Sequence, residues 1–425
     1  AGYDRTASEL TRALECEGAT VTYEDEADTI PEPFRDKADT LVVYTPAVPE
    51  SHTELTYFRA HGFEVMKRAR VLGEITKSSR GLCVAGTHGK TTTSSMLAHL
   101  LKQSPVDCNA FLGGILKNYE SNLMLSDTSD FTVIEADEFD RSFHWLTPYM
   151  AVITSADPDH LDIYGTAEAY RESFEKFTSL IRPDGCLLIK KGINVTPRLQ
   201  EGVKKYTYSV TEIADFYAEN IRICDGNITF DFVGPEIRIP DVELGVPVKV
   251  NIENGVAAMA IAWLNGVKPE DLKKGMATFA GPRRRFDFHL KTDQVVLIDD
   301  YAHHPQEIAA TLAAAKNYPH KKLWCVFQPH TYTRTKAFLD QFAQALSAAD
   351  EVVLADIYAA RETDTLGISS ADIAERIEKL GTKAHYFKSF DEIETFLLEN
   401  CMHGDLLITM GAGDIVKVGE NLLGE

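Results

Sequence analysis

The chain has 425 residues, of which 44% are hydrophobic and 25% charged, with a formal net charge of −21. At roughly 100–200 residues per domain this length argues for several domains, while so acidic a surface repels nucleic acid and anionic membranes. No apolar run approaches the roughly 18 residues needed to span a bilayer, and seven scattered cysteines without a CxxC pair fit reduced thiols in a cytoplasmic protein.

The recurring pattern is a β-branched run, a Gly- or Asp-containing turn and a helical period, which predicts parallel α/β domains. Thr40-Leu41-Val42-Val43-Tyr44 predicts a strand, 53–61 a helix and 62–65 the next strand. These make one βαβ unit of a small first domain over 1–78. A central domain over 79–282 opens with a strand at 80–85 and a helix over 91–101, and two more buried strands follow at 131–135 and 151–154. Between about 203 and 250 the alternation with Gly and Asp turns predicts added antiparallel strands, before a helix from about 254 to 264. Gly281-Pro282 marks a hinge. Beyond it, over 283–425, four apolar runs at 295–299, 323–327, 351–355 and 405–410 predict a doubly wound sheet, with ligand groups at the strand C-termini.

Val84-Ala85-Gly86-Thr87-His88-Gly89-Lys90-Thr91-Thr92-Thr93 carries the strongest signal. A strand runs into glycines, and Lys-Thr then opens a helix. In that context the backbone N–H groups curl around a phosphate and the helix N-terminus adds its positive dipole end. Lys90 suits phosphate oxygens and the Thr91 hydroxyl suits Mg²⁺. The loop is shorter than the G-x4-G-K-T form, since Val84 stands where the first Gly would be. Glu135 ends a buried strand in Ile134-Glu135-Ala136-Asp137-Glu138. A carboxylate placed there is a natural Mg²⁺ ligand. A solvated acidic turn is the alternative, and it stays open for Asp137 and Glu138.

The shortened loop Gly-Thr-x-Gly-Lys-Thr-Thr resembles that of the Mur ligase and folylpolyglutamate synthetase superfamily. The resemblance implies an α/β, three-domain architecture: a Rossmann-like N-terminal domain, a central P-loop ATPase domain with added antiparallel strands, and a Rossmann-like C-terminal domain. The first is expected to be incomplete, because the family's opening strand and Gly-rich loop for UDP are not found ahead of Ala1. It implies that Gly86, Thr87, His88, Gly89, Lys90, Thr91 and Thr92 hold the ATP phosphates, and that Glu135 binds magnesium. His160, in Asp159-His160-Leu161-Asp162, matches a second metal ligand with a part in catalysis. Members that add later residues usually carry a carbamate-modified lysine further on, and Phe174 stands at that position here.

Asn251 and Asn254 resemble the family's His-Asn-x-x-Asn adenine contact, with Val250 in place of His. For Asn251 a helix cap is an equal alternative. Gly281-Pro282-Arg283-Arg284-Arg285-Phe286 matches the family pattern Gly-x-x-Arg-Arg-Phe and implies that Arg285 reaches the γ-phosphate on domain closure; a solvated basic run is the plainer reading. Asp299-Asp300-Tyr301-Ala302-His303-His304-Pro305 is similar to the alanine-adding branch, in which Tyr301 and His303 would border the incoming amino acid. Adjacent histidines also suggest metal, but consecutive residues point apart and no third ligand stands at metal spacing. Gln328-Pro329-His330-Thr331 fits the same branch, with Thr331 replacing its usual Arg and Arg334 retained as a substrate contact. Met410-Gly411-Ala412-Gly413-Asp414 reads equally as a phosphate-proximal or a structural turn.

The implied activity is an ATP- and Mg²⁺-dependent ligation of L-alanine to UDP-N-acetylmuramate through an acyl phosphate. The expected protein is a cytoplasmic monomer or homodimer with neither nucleic acid nor membrane as partner. A tripeptide-recycling ligase of the same family and a non-catalytic ATP-binding protein are the other readings.

Overall fold

The computed structural model describes residues 1–425 except 160, 225, 293, 361 and 425, and not the side chains of 9, 161 and 162. Near the N-terminus, strands Gly2–Tyr3 and Val21–Thr22 pair in parallel across the helix Glu9–Cys16. Strands Leu41–Tyr44 and Glu64–Lys67 do the same across Thr53–Ala60. The first of these units has no counterpart in the sequence reading, because a strand of two residues offers no alternation to detect.

A ten-stranded sheet follows. Its order is Ile237–Glu243, Asn227–Gly234, Phe216–Cys224, Lys204–Ser209, Cys186–Lys190, Met150–Ile153, Arg80–Ala85, Phe131–Ala136, Asn109–Leu116 and Ser121–Met124. Arg80–Ala85, near the middle, is parallel to both neighbours. Its residues from Leu82 onward are buried, which is why it reads as an unbroken apolar run. The added antiparallel strands are present but begin late: Phe216–Cys224 still runs parallel to Lys204–Ser209. That pairing spans only Tyr208↔Phe216 and Ser209↔Tyr217, too short to leave a pattern in the sequence.

Helix Lys90–Lys102 covers the sheet and packs on Val250–Leu264, which is apolar nearly all round. A helix of that kind belongs inside a protein. His99 lies in this seam, with Nδ1 2.9 Å from the Tyr119 hydroxyl and Nε2 3.0 Å from Thr278 Oγ1. Burial pushes its pKa from the ordinary 6.5 down to about 4. Between these values the unfolded chain binds a proton that the folded chain does not. The His99 contribution is therefore full above the ordinary value and is lost as pH falls towards the folded one, by on the order of 3 kcal/mol. In chemical denaturation, His99→Gln is expected to be less stable than wild type near neutrality, with the gap narrowing towards about pH 4.5. A gap that stays constant would remove His99 as the titrating group.

A six-stranded sheet completes the chain, in the order Asp287–Lys291, Val296–Asp300, Leu406–Met410, Leu323–Phe327, Glu351–Leu354 and Lys383–Tyr386. The four expected runs form its parallel centre. The two edge strands lack the apolar runs that mark a buried strand, and Asp287–Lys291 is antiparallel. Phe174 is fully buried against Tyr170 and Phe143. Four of the seven cysteines are buried. Among the described residues no helix is long and apolar enough to cross a membrane.

Candidate active site

The phosphate loop hangs from the C-terminal end of Arg80–Ala85. Gly86 and Gly89 have φ of 146° and 81°, conformations that favour glycine. Asn254 Oδ1 lies 2.8 Å from where a Cβ on Gly89 would stand. The loop is pinned from below: Thr87 Oγ1 donates to Asp157 O at 2.7 Å and Thr154 Oγ1 donates to His88 O at 2.5 Å. Lys90 Nζ donates to Gly86 O at 2.6 Å and pairs with Glu138, 2.8 Å away. Burial opposes its charge, but Glu138, Glu135 and Asp137 together raise the lysine pKa. Glu138 itself is only 1% exposed, so the solvated-turn reading fails for it.

Thr91 Oγ1 donates to Glu135 Oε1 at 3.0 Å, and Gly113 N–H donates to Oε2 at 3.0 Å. A methyl group on Gly113 would overlap that carboxylate. Mg²⁺ usually takes one or two protein oxygens and completes its shell with water and substrate phosphates. A threonine hydroxyl beside one carboxylate at a phosphate loop fits that demand. His160 lies outside the described residues.

Asn251 and Asn254 lie inside the helix Val250–Leu264, whose N-cap is Lys249. Asn251 therefore is not the cap. Its Nδ2 donates to Val246 O at 3.1 Å and its Oδ1 accepts from Asn254 Nδ2 at 3.1 Å, while Asn254 Oδ1 accepts from Thr93 Oγ1 at 3.2 Å. Both also line a cavity of about 270 Å³ with Gly89, Thr92, Arg285 and Phe286. The pair thus ties the phosphate-loop helix to the wall of that cavity.

The arginine segment is a tight turn, with Arg284 and Phe286 at φ of 61° and 50°. Each such residue costs about 1–3 kcal/mol unless its surroundings fix it. Here Asp287 Oδ2 accepts from Arg284 N–H at 3.0 Å and Asp300 Oδ2 accepts from Phe286 N–H at 2.7 Å. Burial pushes the Asp300 carboxyl up to about 6, against the pull of Arg285. Arg284 is committed to the fold through Asp299 Oδ2 and the carbonyls of Gly411 and Gly413. The Gly411-Ala412-Gly413 turn therefore serves as an acceptor for Arg284. Arg285 has no hydrogen bond or ion pair among the described residues, and lies over the Tyr301 ring at 5.1 Å.

His303 sits beyond Tyr301, its Nδ1 3.0 Å from Tyr301 O and its ring centre 5.8 Å from that of His330. Burial lowers its pKa. Arg334 Nη1 reaches His330 Nδ1 at 3.2 Å, and Thr331 caps the helix that carries Arg334. His304 turns instead towards Phe338 and His88, so the two adjacent histidines do point apart. Lys90, Thr91, Glu135, Arg285 and His303 line one cavity of about 160 Å³. A larger one, of about 860 Å³, continues from Thr91 and Glu135 past Gly113, Lys117 and the arginines to Tyr301.

Three residues of the site escaped the sequence reading. Gly113 sits mid-strand and Glu307 in the first turn of Pro305–Ala315, where a glycine or an acid is unremarked. Lys117, 2.6 Å from buried Asp287, gives no local signal either.

Models of three Mur ligase domains match the chain in succession: the family's catalytic domain over 1–80, the middle domain over 84–262 and the glutamate ligase domain over 284–413. A UDP-N-acetylmuramate–L-alanine ligase of Parabacteroides distasonis is 83% identical over 377 residues, covering 88% of this chain and 82% of the relative. The chain belongs to the Mur ligase family. A ligase of the same name from Phocaeicola vulgatus is 58% identical, covering 97% of this chain and 90% of its own. Among solved structures, a UDP-N-acetylmuramate-alanine ligase of Thermotoga maritima superposes with a TM-score of 0.83 at 26% identity, over 100% of this chain and 92% of the other. A murein peptide ligase of Psychrobacter arcticus shares the fold, with a TM-score of 0.69 at 22% identity over 100% and 92%. In this Mur ligase the phosphate loop and the arginine turn adjoin different sheets, so the cavity exists only where the two pack together.

Proposed function

We propose that this chain joins L-alanine to the lactyl carboxylate of UDP-N-acetylmuramate at the expense of ATP. The observation that carries the reading is the convergence of phosphate-handling and amine-side residues on one cavity: Lys90, Thr91, Glu135 and Arg285 with His303. The names of the similar ligases support the choice of substrates.

A carboxylate acylates poorly because oxide is a bad leaving group. One carboxylate oxygen attacks the γ-phosphorus of ATP, and ADP leaves. The amine of alanine then bonds to the acyl carbon, the carbon–oxygen bond to phosphate breaks, and the amine sheds a proton. Phosphoryl transfer needs positioning and charge stabilisation more than covalent help. Backbone N–H groups of the loop that are not already bonded, unlike that of His88, join Lys90 and Arg285 as the donors for that charge. Asn251 and Asn254 border the side of the loop where the base would lie. Thr91 and Glu135, with His160 as a third candidate, would hold Mg²⁺, whose bound charge neutralises the phosphate oxygens. Tyr301, His303 and Arg334 would receive the amino acid. The central domain over 79–282 and the C-terminal domain over 283–425 would close across Gly281-Pro282, sheltering the acyl phosphate from water.

Phosphate release with Mg-ATP tests this directly. Release that requires both UDP-N-acetylmuramate and L-alanine is expected. Release only with a murein tripeptide would move the chain to a recycling role, and ATP binding without release would end the ligase reading.

A further inference from the structure

Glu307 divides its two oxygens between the sheets. Oε1 stands 3.4 Å from Nδ1 of His88, in the phosphate loop. Oε2 accepts from the backbone N–H of His303 at 3.2 Å and lies 3.7 Å from that ring's Nδ1. A first-turn acid that only complements the helix dipole would need none of this and would sit in water. Glu307 is instead half-buried on the wall of the cavity that holds Lys90 and Arg285. Burial opposes its ionisation, but His88, His303 and Arg285 hold the carboxyl far below its ordinary range.

The consequence lies with His303. Its Nδ1–H is directed to Tyr301 O, which leaves Nε2 as the acceptor nitrogen of the ring. In amide formation the attacking amine must lose a proton as nitrogen bonds to the acyl carbon and phosphate departs. An imidazole acceptor on the cavity wall is suited to take that proton, provided that it is held at a fixed distance from the acyl phosphate. Glu307 is the one side chain among the described residues that bonds to both the phosphate loop and the His303 backbone.

We propose that Glu307 is a positioning residue for the second half-reaction, locking His303 and the phosphate loop into one frame so that the amine meets the acyl phosphate made there. The inference rests on the ligase reading given above.

The two halves can be measured apart. Hydroxylamine, added without L-alanine, attacks the acyl carbon and displaces phosphate, so the hydroxamate reports acyl-phosphate formation. Phosphate release with L-alanine reports the whole reaction. For Glu307→Gln, which keeps the shape and loses the charge, and for Glu307→Ala, hydroxamate formation and the KM for ATP are expected within about threefold of wild type, while kcat with L-alanine falls about a hundredfold. Glu307→Asp should recover part of the loss. An equal fall in both readouts, or no fall in either, would overturn the proposal. A wild-type chain giving neither hydroxamate nor alanine-dependent phosphate would remove the ligase reading, and this inference with it.

Discussion

Lys90→Ala is expected to slow ligation by roughly two to three orders of magnitude, equivalent to about 3–4 kcal/mol of lost transition-state stabilisation. The lysine is poised by Gly86 O and by Glu138, within the loop that would cradle the phosphates. Its removal has a second effect, because buried Glu138 loses the Lys90 ammonium. Breaking such a pair costs about 3–5 kcal/mol when the remaining charge stays uncompensated, less if the carboxyl takes up a proton. Burial already pushes Glu138 in that direction. The two effects separate in the double variant Lys90→Ala/Glu138→Gln, which should regain thermal stability and stay inactive. Steady-state phosphate release within about threefold of wild type for Lys90→Ala would exclude the lysine from the chemistry.

Gly113→Ala is expected to lower the rate about a hundredfold, the usual scale for a misplacement near 1 Å in a reacting assembly. The new methyl would occupy the space of the Glu135 carboxylate, which would have to leave both the Gly113 N–H and the Thr91 hydroxyl. Gly113 is exposed, so the fold should be untouched. The effect should appear in the dependence on Mg²⁺, with more metal needed for half-maximal rate and an unchanged melting temperature. A variant with the wild-type magnesium titration would show that Glu135 is not a ligand, or that it moves without consequence.

The comparison of these two residues shows where a sequence is readable. Lys90 and Glu135 announce themselves because their chemistry depends on local context, a strand that ends and a helix that begins. Arg285 stands out by its place among three arginines at a Gly-Pro hinge in an acidic chain, although the residues alone also read as a solvated basic run. Gly113 matters only through Glu135, which is 22 residues away, and Glu307 reaches the phosphate loop only through His88, 219 residues away. Such pairings are set by packing and leave no periodic trace. The asparagines fall between these cases. A helix start was legible within a few residues, but capping turns on which residue stands just ahead of the first helical one, and the helix begins one residue before Asn251. The same limit applies to the sheets. Most buried central strands were visible as apolar runs, Cys186–Lys190 excepted, and the added strands at one edge of the larger sheet by their alternation; Asn109–Leu116 and Ser121–Met124 at its other edge, and the two edge strands of the smaller sheet, were not.

The placement of Arg80–Ala85 has a consequence for how the chain acquires its activity. That strand is flanked by Phe131–Ala136 and Met150–Ile153, so the segment that presents the phosphate loop gains its second neighbour only after some 70 further residues have been laid down and brought back. Long-range parallel pairing of this kind is slow, because loop-closure entropy comes before the stabilising contacts. The clamp from Asn254 to Thr93 arrives later still. During synthesis, then, the loop leaves the ribosome well ahead of the structure that shapes it, and an emerging chain passes through a long interval in which its apolar central strand is exposed.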